Sequence, residues 1–208
     1  MRYVVAGAER LTDEARKVWA EKFGIRVFEG YGATEASPVI AVNTPMGNQP
    51  QTVGQIVTKI EHYLEPVAGI ESGGRLIVRG PNIMRGYLFH GGDGKHFPPS
   101  TDRGEGWYDT GDIVEIDIDG FVKIVGRQKR FAKVAGEMVS LAQCEELANV
   151  AYPQHTHAAV ALPDAKKGEQ IILLSEGFEA ERAVLVKVAR KLETSELAIP
   201  KRLYACAE

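Results

Sequence analysis

Three short segments carry side chains from which a chemical site could be built. Tyr31-Gly32-Ala33-Thr34-Glu35 offers an aromatic ring, a hydroxyl and a carboxylate within five residues, directly after strand-like sequence. A ring can stack on a base, a hydroxyl can bond a phosphate, and a carboxylate can hold Mg2+. The end of a strand is where open α/β sheets bind ligands. An ordinary glycine-rich turn with a capping Thr-Glu is the competing reading. Tyr108-Asp109-Thr110-Gly111-Asp112 leads into another strand. There Asp112 could accept two hydrogen bonds from ribose hydroxyls, with Gly111 letting the sugar approach. Asp109-Thr110-Gly111 also matches the triplet of aspartic proteases, whose two carboxylates share a proton. A second Asp-Thr-Gly is absent, so a protease would have to be a homodimer. The third segment, Gly126 to Glu137, holds Arg127, Lys129, Arg130 and Lys133 and reads equally well as a solvated basic linker.

Other candidates are weaker. His155 and His157 alternate on a strand, but no suitable third ligand lies near them in sequence. Cys144 falls on a helix face and reads as packing. With Cys206 it makes a pair too sparse for a disulfide framework, which suits a reducing compartment and a cytoplasmic location. No Gly-x-x-x-x-Gly-Lys-Ser/Thr loop is present. The net charge of −3, from 25 basic and 28 acidic residues, leaves no basic stripe for nucleic acid. Apolar runs are a few residues long, too short to span a bilayer.

The elements that position these segments follow from periodicity and glycine usage. Tyr3–Ala6 reads as a buried strand, followed by Gly7-Ala8-Glu9. A helix is expected from about Thr12, its N-cap, to Phe23, with Ala15, Val18, Trp19 and Phe23 on one face, and a strand from Ile25 to Phe28. Of 22 glycines in 208 residues, thirteen lie between Gly69 and Gly126 and three after Arg127. The middle therefore reads as short strands and tight turns: Gln55–His62, Arg75–Arg79, Ile113–Ile118 and Phe121–Val125. The last two flank Asp119-Gly120, a two-residue hairpin signal, and 91–106 reads as a long loop. Beyond Arg127 the expected order is βαββαβ, with strands at Phe131–Val134, His157–Leu162, Gln170–Leu174 and Arg202–Ala205. Its helices would be one opened by a Ser140/Gln143 capping box and another over Glu181–Leu192. Residues 1–126 carry a net −4 and residues 127–208 a net +1, so charge changes at the same boundary.

Taken in order, these segments resemble the adenylate-forming family: acyl-CoA and acyl-carrier-protein synthetases, luciferases and peptide-synthetase adenylation domains. The resemblance rests on Tyr31 to Glu35; on Gly74-Arg75-Leu76, Gly80-Pro81 and Gly86-Tyr87; and on Tyr108 to Asp112. It continues through Gly126-Arg127-Gln128-Lys129, Lys133, Gly136-Glu137 and Val139-Ser140. Within the family the likeness is greatest to the synthetase part of bifunctional acyl-carrier-protein synthetase/2-acylglycerophosphoethanolamine acyltransferases.

The resemblance implies an α/β chain in three parts. Residues 1–51 would end a large adenylation subdomain, 52–126 would form a small β-barrel-like subdomain, and 127–208 a mobile domain truncated at its end. Gly7, Ala8 and Glu9 would line an adenine pocket, with Tyr31 and Gly32 beside the base. Thr34 would bond the α-phosphate of ATP or AMP, Glu35 would bind Mg2+, and Asp112 and Arg127 would reach the ribose. Lys129 would be a hinge, Gly136 would line the channel of a phosphopantetheine thiol donor (coenzyme A or an acyl carrier protein), and Lys133 would serve the second half-reaction. A fatty acid would be the carboxylate substrate, and membrane association would come only from parts of the full protein absent here. The family's Gly-rich phosphate loop with its lysine and its C-terminal catalytic lysine are not in this sequence, and Arg75 stands where the family usually has Glu. The resemblance thus implies a piece unable to complete adenylation alone. The alternative is a non-catalytic module that docks an acidic carrier protein through Arg130, Lys133, Lys166, Lys167, Lys201 and Arg202.

Overall fold

A computed structural model describes residues 3–91 and 93–206. The chain divides into two compact units. The first holds the stretch up to Pro66 together with Ser72–Val125; the second holds Val67–Glu71 and the chain from Gly126 on.

The first unit begins with β1 (Val4–Ala6), α1 (Asp13–Phe23), β2 (Val27–Gly32), β3 (Val39–Val42) and β4 (Gln55–Ile56), and the strands form one sheet in that order. β1 and β2 are parallel; β3 and β4 add antiparallel. The Thr12 hydroxyl accepts the Ala15 amide at 3.2 Å, and Gly24 closes the helix at φ +64°, so the local start and stop signals of α1 act as expected. The buried strand expected at Tyr3–Ala6 is instead an edge strand with Val5 exposed, because only β2 pairs with it among the described residues. The apolar side of α1 is likewise uncovered: no residue of the helix is buried. An ion pair between Arg16 and Glu29 at 2.6 Å ties it to β2.

The second sheet of this unit comes from β5 (Glu61–Glu65), β6 (Gly74–Arg79), β9 (Tyr108–Ile116) and β10 (Val122–Arg127), in the order β10-β9-β6-β5. Between β6 and β9 a two-stranded ribbon, β7 (Ser100–Thr101) and β8 (Gly104–Glu105), interrupts the segment expected to be a plain loop. The sheet is open, with β10 and β5 at its edges. The single strand expected over Gln55–His62 is split, since Lys59 takes φ +71° and the chain turns there from β4 into β5. The hairpin at Asp119-Gly120 exists, but with a three-residue loop. The Asp117 amide bonds the Phe121 carbonyl at 3.1 Å, the Asp117 carboxylate accepts the Asp119 and Phe121 amides, and Gly120 takes φ +83°. Ile40, Ala36, Leu76, Val78, Val114 and Val122 from both sheets form one core. Each large side chain buried there contributes about 1.5–3 kcal/mol.

The second unit runs β11 (Phe131–Val134), β12 (Glu137–Ser140), α2 (Leu141–Ala151), β13 (His157–Asp164), β14 (Gly168–Glu176), α3 (Arg182–Lys191) and β15 (Arg202–Cys206). The order is therefore ββαββαβ, one strand more than expected. β12-β11-β14-β13 pair in sequence, and β15 joins β14 in parallel. Ser140 does stand at the N-cap of α2, but its side chain makes no capping bond, so the expected capping box is not formed. α2 and α3 cover the sheet through Leu141, Cys144, Leu147, Leu185 and Ala189. Burial pushes the Cys144 thiol up to about 12, which keeps it an inert packing group. No described helix is long and apolar enough to cross a membrane.

Candidate functional site

The candidate site of the first unit lies where strand ends meet a bulge. Gly30 to Gly32 finish β2, and the chain turns through a 3-10 turn, Thr34–Ala36, into β3. Gly32 sits so close to the following backbone that a Cβ there would lie 1.7 Å from the Pro38 carbonyl oxygen. That crowding is why the turn needs glycine, and it lets the Ala33 amide bond the same carbonyl at 2.9 Å. Gly7, Ala8 and Glu9 form an exposed loop at the end of the parallel neighbour β1; Gly7 faces the Gly30 carbonyl and Ala8 takes φ +71°.

β9 supplies the other half. Ile77 pairs with Asp109 and Arg75 with Ile113, so the one residue between them on β6 faces three on β9: Thr110, Gly111 and Asp112. This bulge re-aims a side chain out of the regular pleat. Gly111 takes φ +70° within it, the Thr110 hydroxyl donates to the Leu76 carbonyl at 2.9 Å, and the Asp112 amide bonds the Thr110 oxygen. Asp112 is thereby turned onto Tyr31, whose hydroxyl donates to its carboxylate at 2.5 Å across 81 residues of sequence. Burial, then the adjacent Asp112 charge, drives the Tyr31 phenol far above its ordinary value, so Tyr31 stays a neutral donor.

Glu35 gathers a second pair of phenols. The Tyr87 hydroxyl donates to its carboxylate at 3.0 Å, and Tyr108 faces the same carboxylate. Both phenols are raised, by burial first and then by Glu35. Among the described residues no cluster of three or more His, Cys, Asp or Glu gathers around a metal position. A lone carboxylate with neutral oxygen neighbours fits Mg2+, which is held by one or two carboxylates and otherwise keeps water and nucleotide phosphate. Sequence reasoning missed Tyr87 and Tyr108 as neighbours of Glu35; only their place within the matched segments marked them.

The Asp-Thr-Gly triplet has a structural use here. Asp109 accepts the Gly111 amide at 2.9 Å and pairs with Arg75 at 3.2 Å, and Arg75 also bonds Glu65. A carboxylate committed to an arginine and a turn amide is unsuited to share a proton with a twin, which removes the protease reading.

The remaining candidates belong to the second unit. Arg127 and Lys129 are exposed where the chain leaves β10, Lys129 on the 3-10 turn Gln128–Arg130. Lys133 on β11 and Gly136 in the following turn line a hollow of about 460 Å3 with Ala135, Lys166, Lys167 and Gly168. The nearby acids are otherwise engaged. Asp164 accepts the Lys166 and Lys167 amides and pairs with Lys201, which holds its carboxyl down at about 2, and Glu169 accepts the Lys133 amide. Arg130 Nη2 bonds both carboxylate oxygens of Glu145 and Lys201 pairs with Asp164, so these two candidate docking contacts also hold the fold. His157 bonds Ser175 and the Tyr152 carbonyl, and His155 stacks on Phe178, as packing histidines do.

Comparison with known proteins places this arrangement. Residues 1–88 match the family described as AMP-binding enzyme. The chain is 34% identical over 178 residues to 4-coumarate--CoA ligase-like 2 of Arabidopsis thaliana, which covers 80% of this chain and 30% of that protein. It is 30% identical over 207 residues to 2-hydroxy-7-methoxy-5-methyl-1-naphthoate--CoA ligase of Streptomyces carzinostaticus, covering 95% of this chain and 36% of that one. Among solved structures, ATP-bound MatB from Rhodopseudomonas palustris superposes over 100% of this chain and 42% of its own, with TM-score 0.75 and 26% identity. The chain thus spans about a third of the length of the curated relatives it matches. Its sequence matches and its fold agree: the chain belongs to the adenylate-forming family of AMP-binding enzymes.

Proposed function

We propose that this chain is part of an ATP-dependent acyl-activating ligase. A carboxylate oxygen of a fatty acid attacks the α-phosphorus of ATP, pyrophosphate leaves, and a phosphopantetheine thiol then displaces AMP to give a thioester. The observation that carries the reading is the Tyr31–Asp112 bond, which sets an aromatic ring beside a buried carboxylate where the β9 bulge meets the end of β2. Asp112 accepts from both ribose hydroxyls, while the Tyr31 hydroxyl fixes the carboxylate and its ring lies against the base. Gly7, Ala8 and Glu9 border the base, and Thr34 bonds the α-phosphate. Glu35 holds Mg2+, which when bound offsets the charge developing on phosphate oxygens.

The second unit serves the thiol. The carboxylate attacks phosphorus in the first step and the thiol attacks the acyl carbon in the second, so a turn of this unit about Lys129 between half-reactions suits the chemistry. Arg127 reaches the ribose, and Lys133 and Gly136 face the donor, with Lys166 and Lys167 drawing its negative charge into the hollow. The curated relatives are named as CoA ligases; coenzyme A or an acyl carrier protein would present the same thiol. The 208 residues alone do not complete adenylation, because no Gly-rich phosphate loop with its lysine is among them.

The test is titration of the chain with AMP and with 2′,3′-dideoxy-AMP by calorimetry. Losing both ribose hydroxyls is expected to weaken binding at least about a hundredfold, since hydrogen bonds to a charged group contribute about 1.5–3 kcal/mol each. Equal affinity for the two nucleotides would sink the assignment of Asp112.

A further inference from the structure

We infer that Tyr87 is a positioning residue for the metal-binding carboxylate, and that the segment Asn82–Tyr87 is a clamp built to hold Glu35. The inference rests on the reading of Glu35 as the Mg2+ ligand. Glu35 sits on a single 3-10 turn, Thr34–Ala36, too short to fix a long, flexible side chain by itself. What fixes it arrives from 47 to 52 residues further along the chain. Asn82 donates through Nδ2 to the Ala36 carbonyl at 2.6 Å and to the Val39 carbonyl at 2.9 Å. The Met84 amide donates to the carbonyl of Glu35 itself at 2.8 Å. Tyr87 completes the grip with its hydroxyl on Glu35 Oε1 at 3.0 Å. One segment therefore holds both the backbone and the side chain of the same glutamate.

Tyr87 is itself held. Its amide and carbonyl exchange bonds with Phe97 at 2.9 and 3.0 Å, and its ring lies 6.5 Å from that of Phe89, which packs edge-on against Phe97 at 5.1 Å. Gly86 permits this bridge: a Cβ there would stand 2.6 Å from the Phe97 carbonyl carbon. The chemistry of the contact suits a metal ligand. A lysine or arginine in place of Tyr87 would orient the carboxylate but cancel the charge that attracts the cation. A neutral phenol orients it and leaves the charge intact. The phenol occupies Oε1 and so directs the cation toward the other carboxylate oxygen. Tyr108, the second phenol facing Glu35, lies on β9 and shares Asp112 as a neighbour, so it joins the metal and ribose halves.

The experiment is a Mn2+ titration of the chain in the presence of ATP, followed by electron paramagnetic resonance, with parallel ATP binding in EDTA. Tyr87→Phe removes one oxygen and keeps the ring. It is expected to raise the Mn2+ midpoint about threefold to tenfold, the worth of one hydrogen bond, with ATP affinity in EDTA and the melting temperature unchanged. Glu35→Gln should leave only the Mn2+ midpoint of ATP by itself. A Tyr87→Phe midpoint equal to that of the unmodified chain overturns the clamp. Equal losses with and without metal overturn it too, because Tyr87 would then shape the nucleotide pocket as a whole. A Glu35→Gln midpoint equal to that of the unmodified chain, or an unmodified midpoint equal to that of ATP alone, overturns the underlying metal reading and the clamp with it.

Discussion

Asp112→Ala is expected to weaken AMP binding at least about a hundredfold, while Asp109→Ala, three residues away, leaves it within about fivefold. The difference follows from what each carboxylate faces. Asp112 is buried beside Tyr31 and, on the proposed reading, accepts from both ribose hydroxyls. Two hydrogen bonds to a charged group contribute about 3–6 kcal/mol, and about 1.4 kcal/mol is a factor of ten. Removing the carboxylate also strands the Tyr31 hydroxyl, at a further cost of about 1–3 kcal/mol. Asp109 makes a partly exposed pair with Arg75 and caps the Gly111 amide, contacts in the range of about 0.2–1 kcal/mol each. Asp112→Asn separates charge from shape: it keeps the volume and one acceptor, and is expected to fall between the alanine variant and the unmodified chain. Calorimetric titration reads all three. A stronger loss from Asp109→Ala than from Asp112→Ala contradicts the ribose assignment.

Gly32→Ala is expected to destabilise the first unit by roughly 2–4 kcal/mol and to abolish nucleotide binding with it. The added Cβ would fall 1.7 Å from the Pro38 carbonyl oxygen and 2.7 Å from its carbon, both backbone atoms with no rotamer to yield. Relief requires β2 and the Pro38 backbone to part, which breaks the Ala33–Pro38 bond and moves Thr34 and Glu35 away from Tyr31. Overpacking costs about 1–3 kcal/mol and the lost bond about 0.5–1.5. Gly111→Ala is the informative comparison. Nothing lies within 4 Å of its added Cβ, so only the left-handed backbone at φ +70° is penalised, by about 1–2 kcal/mol. Urea unfolding of both variants checks the order. A smaller effect at Gly32 than at Gly111 would show that the turn after β2 gives way more readily than its contacts indicate.

Much of this site is legible in sequence, but for uneven reasons. Thr12 and Gly24 mark α1 because capping is a local interaction between near neighbours. Tyr31, Glu35 and Asp112 stand out because aromatic, carboxylate and glycine combinations at strand ends suit nucleotide chemistry. The bulge that joins Asp112 to Tyr31 is not legible: Asp-Thr-Gly-Asp reads as a turn before a strand, whereas β9 runs through it from Tyr108 to Ile116. β3 and β12 are missed because each follows a proline or glycine that reads as a loop. Tyr87 is missed because its partner lies 52 residues earlier, a distance over which only the fold brings groups together. The uncovered face of α1 shows the opposite limit: helical periodicity reports which side is apolar, not what covers it.

Carboxylate-dependent exchange of labelled pyrophosphate into ATP tests the central claim most directly. It should be measured with a fatty acid, for the 208-residue chain and for an extended protein in which this chain replaces the matching third of a CoA-ligase relative. The account predicts exchange by the extended protein, its loss on Asp112→Ala, and none by the 208 residues alone. Robust exchange by the short chain would contradict the claim that it is an incompetent part, and silence from both would contradict the ligase reading itself.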